Sequence, residues 1–128
     1  MNLDKIVAIT GKPGLYKIIA ETPKRIIVAS LEEPSKKLPV SSNFQLAMLD
    51  KITIYTVDGS DLALPEVMEA IHKGGENLEI PEPKSPGDTL RAFFLEVAPK
   101  HDPDRVYLSD IQKIIKWYQL LKKLNVLE

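Results

Sequence analysis

A proline-rich segment, Ile80-Pro81-Glu82-Pro83-Lys84-Ser85-Pro86, divides the chain into two stretches of different grammar. Its prolines fix φ and remove backbone donors, so the segment can be neither the interior of a helix nor a central strand. Before it lie short β-branched runs broken by turn residues; after it, apolar residues recur at helical spacing. The expected fold class is therefore α+β, with a small β module leading into a helical C-terminal part.

A chain of 128 residues is one ordinary domain, or two sub-domains sharing a core, and buries about two-thirds of its unfolded surface. The composition, 44% hydrophobic and 27% charged, excludes a disordered tail. No apolar run approaches the roughly 18 residues that span a bilayer, so no membrane association is expected. Met1-Asn2-Leu3-Asp4-Lys5 lacks the basic start of a secretory signal. The absence of cysteine removes disulfides, thiolate metal sites and cysteine nucleophiles together, and fits a cytoplasmic location.

The formal net charge of −1 favours no anionic partner overall. Residues 1–60 carry 8 basic and 6 acidic side chains, residues 61–87 carry 2 and 6, and residues 88–128 carry 7 and 6. The acidic excess thus falls on the connecting stretch, and neither end has the sustained basic excess of a typical nucleic-acid binder.

Along residues 1–60, Leu3, Ile6 and Val7 have i, i+3, i+4 spacing, which predicts a short helix over 3–9. Gly11-Lys12-Pro13-Gly14 turns the chain. Leu15–Glu21 and Arg25–Leu31 read as a hairpin closed at Thr22-Pro23-Lys24. Lys37-Leu38-Pro39-Val40 reads as a short strand that its proline confines to an edge or bulge. Ser41-Ser42-Asn43 would cap one helical turn through Leu46, and Lys51–Val57 would form the last strand, ended by Asp58-Gly59. This order predicts a small SH3-like barrel, or an incomplete β-barrel closed by a helix.

Residues 61–87 should hold a helix from Pro65 to about His72, stopped by Gly74-Gly75, with Glu69 and Lys73 paired across one turn, followed by the proline-rich connector. Residues 88–128 should hold two helices. The first is capped at Ser85 and stopped by Pro99, with Leu90, Phe93, Phe94 and Val97 as its buried stripe. The second starts at a Ser109-Asp110-Ile111-Gln112 capping box and runs over 110–124, its apolar face covering about half the circumference. A face that wide normally meets more than one neighbour.

Few residues carry chemistry. Gly11-Lys12-Pro13-Gly14 lacks Gly-Lys-Ser/Thr, precedes a strand, and contains a proline without the N–H that a phosphate cradle needs. His101-Asp102-Pro103-Asp104 fails as a calcium loop because Val106, Tyr107 and Lys113 stand where oxygen ligands and glycine are required; a solvated Asp-Pro turn with Arg105 paired to a carboxylate is the simpler reading. His72 and His101 are the only histidines, and nothing local positions a serine against either. No catalytic residue, metal ligand or cofactor site is assigned. The basic residues Lys24, Arg25, Lys36 and Lys37 are the candidate nucleic-acid contacts, with Tyr16, Phe44 and Tyr55 as the available stacking or caging aromatics. On the final helix, Leu120 lies between Lys113 and Lys116 on the wet face and marks a candidate partner or self contact.

Gly11-Lys12-Pro13-Gly14-Leu15-Tyr16, Asp102-Pro103-Asp104-Arg105-Val106-Tyr107-Leu108-Ser109-Asp110-Ile111 and Lys116-Trp117-Tyr118 give the chain a resemblance to a family of small uncharacterised Bacteroidota proteins. That family is a domain of unknown function with a helical C-terminal companion. The resemblance spans nearly the whole chain and implies a bacterial, cytoplasmic origin and the two-part layout. It carries no activity, ligand or catalytic residue.

These readings converge on a non-catalytic protein- or peptide-binding adaptor, with homodimerisation taking up any apolar face left over on the last helix. The alternative is a nucleic-acid-binding protein using the lysines of the β module.

Overall fold

The computed structural model describes residues 3–12, 14–41, 46–74 and 77–124. The fold is α+β. Backbone contacts divide the chain into two compact units, residues 2–52 and residues 53–128 together with Met1.

The first unit is an antiparallel five-stranded sheet. Its strands are β1 (Ile6–Ile9), β2 (Tyr16–Glu21), β3 (Arg25–Ser30), β4 (Lys37–Ser41) and β5 (Leu46–Met48), in the spatial order β4-β3-β2-β1-β5. The first four strands form a meander and β5 returns to pair with β1. Alternation places Val7, Ile9, Ile18, Val28 and Val40 in one buried cluster, with Tyr16, Ile26, Leu38, Leu46 and Met48 packed against it. One irregularity falls between Ile18 and Ala20, where the register with β3 shifts and Ile19 is left 46% exposed. A 3-10 turn, Leu49–Lys51, follows β5.

Two expectations for this unit are corrected. Residues 6–9 form a strand, not part of a helix. The i, i+3, i+4 spacing of Leu3, Ile6 and Val7 is outweighed by three β-branched residues in four, by pairing on both sides, and by a positive φ of 64° at Lys5. The strand expected over 51–57 does not close the sheet; that place is taken by β5. Residues 42–45, where the helical turn was expected, lie outside the described residues, and Leu46 is strand. The Thr22–Lys24 hairpin forms as read, with the Thr22 N–H and hydroxyl both donating to the Arg25 carbonyl at 2.8 and 3.0 Å. Pro39 lies on β4, at the edge of the sheet.

The second unit opens with a two-stranded ribbon, β6 (Thr53–Ile54) and β7 (Leu62–Ala63), followed by α1 (Leu64–Gly74), α2 (Gly87–Val97) and α3 (Leu108–Lys123). Asp58-Gly59 is a hairpin turn signal, and a nearby partner strand costs less loop-closure entropy than a distant sheet edge. That is why Thr53 and Ile54 pair forward with Ala63 and Leu62. Leu64, Val67, Met68 and Ile71 of α1, Leu90, Phe93 and Phe94 of α2, and Ile111, Ile114, Ile115, Tyr118 and Leu121 of α3 are buried. Val97, Trp117 and Leu124 are only half-buried, so the stripes are narrower than periodicity implied. The N-cap of α2 is Pro86 rather than Ser85. The start of α3 lies two residues earlier than the Ser109 box, with the Asp110 carboxylate accepting from the Tyr107 N–H at 2.9 Å. A Cβ on Gly87 would sit 2.8 Å from Leu108 Cδ1, so the first turns of α2 and α3 meet closely there.

Candidate functional site

The His101 segment is a structural clasp. His101 is 2% exposed. Its Nδ1 lies 2.7 Å from the Ala98 carbonyl and must donate to it, which leaves Nε2 to accept from Arg91 Nη1 at 3.2 Å. Arg91 also donates to the Val106 carbonyl at 2.9 Å, and the Phe94 ring meets the imidazole edge-on with centroids 4.7 Å apart. Residues 100–102 pair with 55–57 through Val57 N–H to Lys100 O and Asp102 N–H to Tyr55 O, both 2.9 Å. Arg105 stacks 3.8 Å over the Tyr55 ring, so an aromatic face takes the place of the carboxylate expected as its partner. The other histidine, His72, has Nδ1 3.4 Å from the Tyr118 hydroxyl, and burial raises the Tyr118 phenol above its ordinary value.

A second polar knot closes the β6–β7 turn. Thr56, 4% exposed, receives the Asp61 N–H on its hydroxyl at 2.8 Å and donates to Asp58 Oδ1 at 2.8 Å. The Ser60 hydroxyl and N–H reach the same oxygen at 2.7 and 3.0 Å. Together with Lys100, 3.4 Å from the other oxygen, they hold the Asp58 carboxyl well below its ordinary value, the Ser60 bonds contributing most. Among the described residues, no group of three or more His, Cys, Asp and Glu is placed to hold a metal.

The four basic residues read as nucleic-acid contacts are exposed but are not gathered on one surface. Arg25 pairs with Ser41 and Lys37 with Ala29, so Lys24-Arg25 and Lys36-Lys37 occupy opposite ends of the β3–β4 ladder, roughly 13 Å apart along the strand. Lys36 is paired with Glu33 at 3.2 Å. Lys36 and Lys37 line an open groove of about 610 Å³ with Tyr16, Ser30, Glu32 and Glu33. Both charge signs are present, so the groove selects neither.

On α2 the outward face is different. An open groove of about 440 Å³ runs along the helix, floored by Pro81, Ala92 and Phe93 and rimmed by Glu79, Asp88 and Glu96. Asp88, Ala92 and Glu96 stand at i, i+4 and i+8, so the two helical carboxylates are about 12 Å apart along the axis. Leu95, 49% exposed, extends the apolar surface beside them. Among the described residues, no lysine or arginine lines the groove. An apolar floor between carboxylates is suited to a ligand that is both cationic and apolar. The sequence reading identified only the buried stripe of α2. The complementary positions 88, 92, 95 and 96 were available as a signal, whereas the approach of Glu79 and Pro81 is a tertiary fact.

On α3, Lys113 and Lys116 are exposed and Leu120 is half-buried. With Lys123, also exposed, they form one outward stripe at i, i+3, i+7 and i+10.

Residues 52–121 match the family model described as Domain of unknown function (DUF6852), and residues 3–49 match a second, Domain of unknown function (DUF5606). The chain belongs to the DUF6852 family. A solution NMR structure from Bacteroides vulgatus, solved as a structural genomics target, is similar to it at 37% identity and a TM-score of 0.76, covering 99% of this chain and 90% of that one. No curated protein matches. The uncharacterised Bacteroidota family indicated by the resemblance is thereby established. Its marker residues Asp102–Asp110 lie in the clasp and the start of α3, where they serve folding: Asp102 Oδ1 accepts from the Asp104 N–H at 3.0 Å, Arg105 covers Tyr55, and Asp110 caps α3.

Proposed function

We propose that this DUF6852-family chain is a non-catalytic protein- or peptide-binding module of the bacterial cytoplasm, and that the α2 groove is its binding face. The observation that carries the reading is the pairing of an apolar floor (Pro81, Ala92, Phe93) with three carboxylates (Glu79, Asp88, Glu96) and, among the described residues, no lining cation. Burying apolar surface supplies affinity, and the carboxylates select a basic partner and raise its association rate. The non-catalytic character is supported by the engagement of both His101 nitrogens in the fold.

The N-terminal sheet is read as an SH3-like, partly open barrel. Support comes from the strand order β4-β3-β2-β1-β5 and from the bulge at Ile19, which bends β2 where such a barrel must turn. The alternative, nucleic-acid binding through Lys24, Arg25, Lys36 and Lys37, has two separated cation pairs to draw on.

Fluorescence anisotropy with a labelled amphipathic Lys/Leu helical peptide tests the proposal. The chain should bind this peptide, bind it more weakly as salt rises, and ignore a Glu/Leu counterpart. Tighter binding of a single-stranded oligonucleotide than of the basic peptide would favour the alternative.

A further inference from the structure

The groove on α2 calls for a helix that presents an apolar side chain between cations, and this chain carries one. On α3 the stripe Lys113, Lys116, Leu120, Lys123 faces outward, with the three lysines exposed and Leu120 half-buried. It spans about 15 Å, against about 12 Å between Asp88 and Glu96 on α2. Lys116 and Lys123, seven residues apart, bracket Leu120 as Asp88 and Glu96 bracket Ala92. Laid along the groove, the stripe sets Leu120 over the Ala92–Phe93 floor and a lysine near each helical carboxylate.

We infer that the occupant of the α2 groove is the outer face of α3 from a second copy of this chain. The inference rests on the binding reading above and names its partner. Within one copy, α2 and α3 pack against each other, so the two complementary faces belong to neighbouring helices. A two-fold axis pairs α2 of each copy with α3 of the other, giving an isologous dimer in which each charge contact occurs twice. Leu95, exposed beside the groove, joins the covered surface. Solvent-exposed charge contacts are screened by salt, so this dimer is sensitive to ionic strength.

Sedimentation velocity on the full chain over a concentration series, at low and high salt, reads the result. The expected outcome is a dimer at low salt that loosens at high salt. Glu96→Lys and Lys116→Glu, both at exposed positions, should each weaken self-association by about tenfold or more, since each puts like charges together at both copies of the contact. Mixing the two variants should restore a dimer, because the altered groove of one then meets the altered helix of the other. Circular dichroism of each variant confirms that the fold is intact. A chain that is monomeric at every concentration, or a dimer indifferent to both substitutions, overturns the inference. If the monomer still binds the Lys/Leu peptide, the binding reading survives with a different partner; if it binds neither, both fall.

Discussion

Arg91 supports two acceptors in the clasp, the Val106 carbonyl and His101 Nε2. Replacing it with leucine leaves both without this donor, at a cost of about 1–3 kcal/mol, visible as a lower urea midpoint with secondary structure unchanged. Asp58 acts through its charge. Bonds from Ser60 and Thr56 and the nearby Lys100 lower its folded pKa from the ordinary 3.8. A lowered folded value means that its stabilisation is complete above 3.8 and is lost as pH falls below that toward the folded value. Asp58→Ala should therefore reduce the urea midpoint at neutral pH, and its difference from the parent should shrink as pH is taken below 3.8. An unchanged difference across that window would show that the hydrogen bonds, not the charge, carry the effect. The imidazole and the Asp102 carboxylate that invited a metal reading in His101-Asp102-Pro103-Asp104 are engaged by clasp, stacking and turn contacts. Composition alone could not show this, because the partners Tyr55, Arg91 and Phe94 come from other elements.

At the level of elements, the helices were legible because each carries its own periodicity and punctuation: Pro65 and Gly74 bound α1, and Pro99 stops α2. Strand β1 was not legible, since four residues fit either period and its identity is set by β2 and β5 on its flanks. The fate of residues 53–57 was hidden for a related reason. Asp58-Gly59 reads locally as the end of a strand, whereas in the fold it is the turn of a ribbon whose second strand is only Leu62–Ala63. Two substitutions probe the packing. Phe94 is fully buried against His101, and Phe94→Ala should cost about 3–5 kcal/mol. Gly74→Ala is a closer contest. Alanine gains about 1 kcal/mol in helix propensity, but its Cβ would lie 2.7 Å from Leu78 Cβ, and such overpacking costs about 1–3 kcal/mol. A net loss in melting temperature is expected; a gain would mean that the segment at Leu78 yields freely.

On the scale of the whole molecule, the two compact units, residues 2–52 and 53–128, follow the two family matches at 3–49 and 52–121. Of the segments that carry the family resemblance, Asp102–Ile111 lies in the second unit's clasp and at the start of α3, where its contacts serve folding. The proposed binding face is instead built mostly from the exposed side chains Glu79, Asp88, Ala92 and Glu96, and meets the buried stripe of α2 only at Phe93. Chemical-shift mapping on the ¹⁵N-labelled chain, as the Lys/Leu peptide is added under conditions where the chain alone is monodisperse, tests that claim most directly. The account predicts that the amides of Glu79, Asp88, Thr89, Ala92 and Glu96 shift together and saturate together. Shifts confined to residues 16–38 of the β module, or none at all, would contradict it.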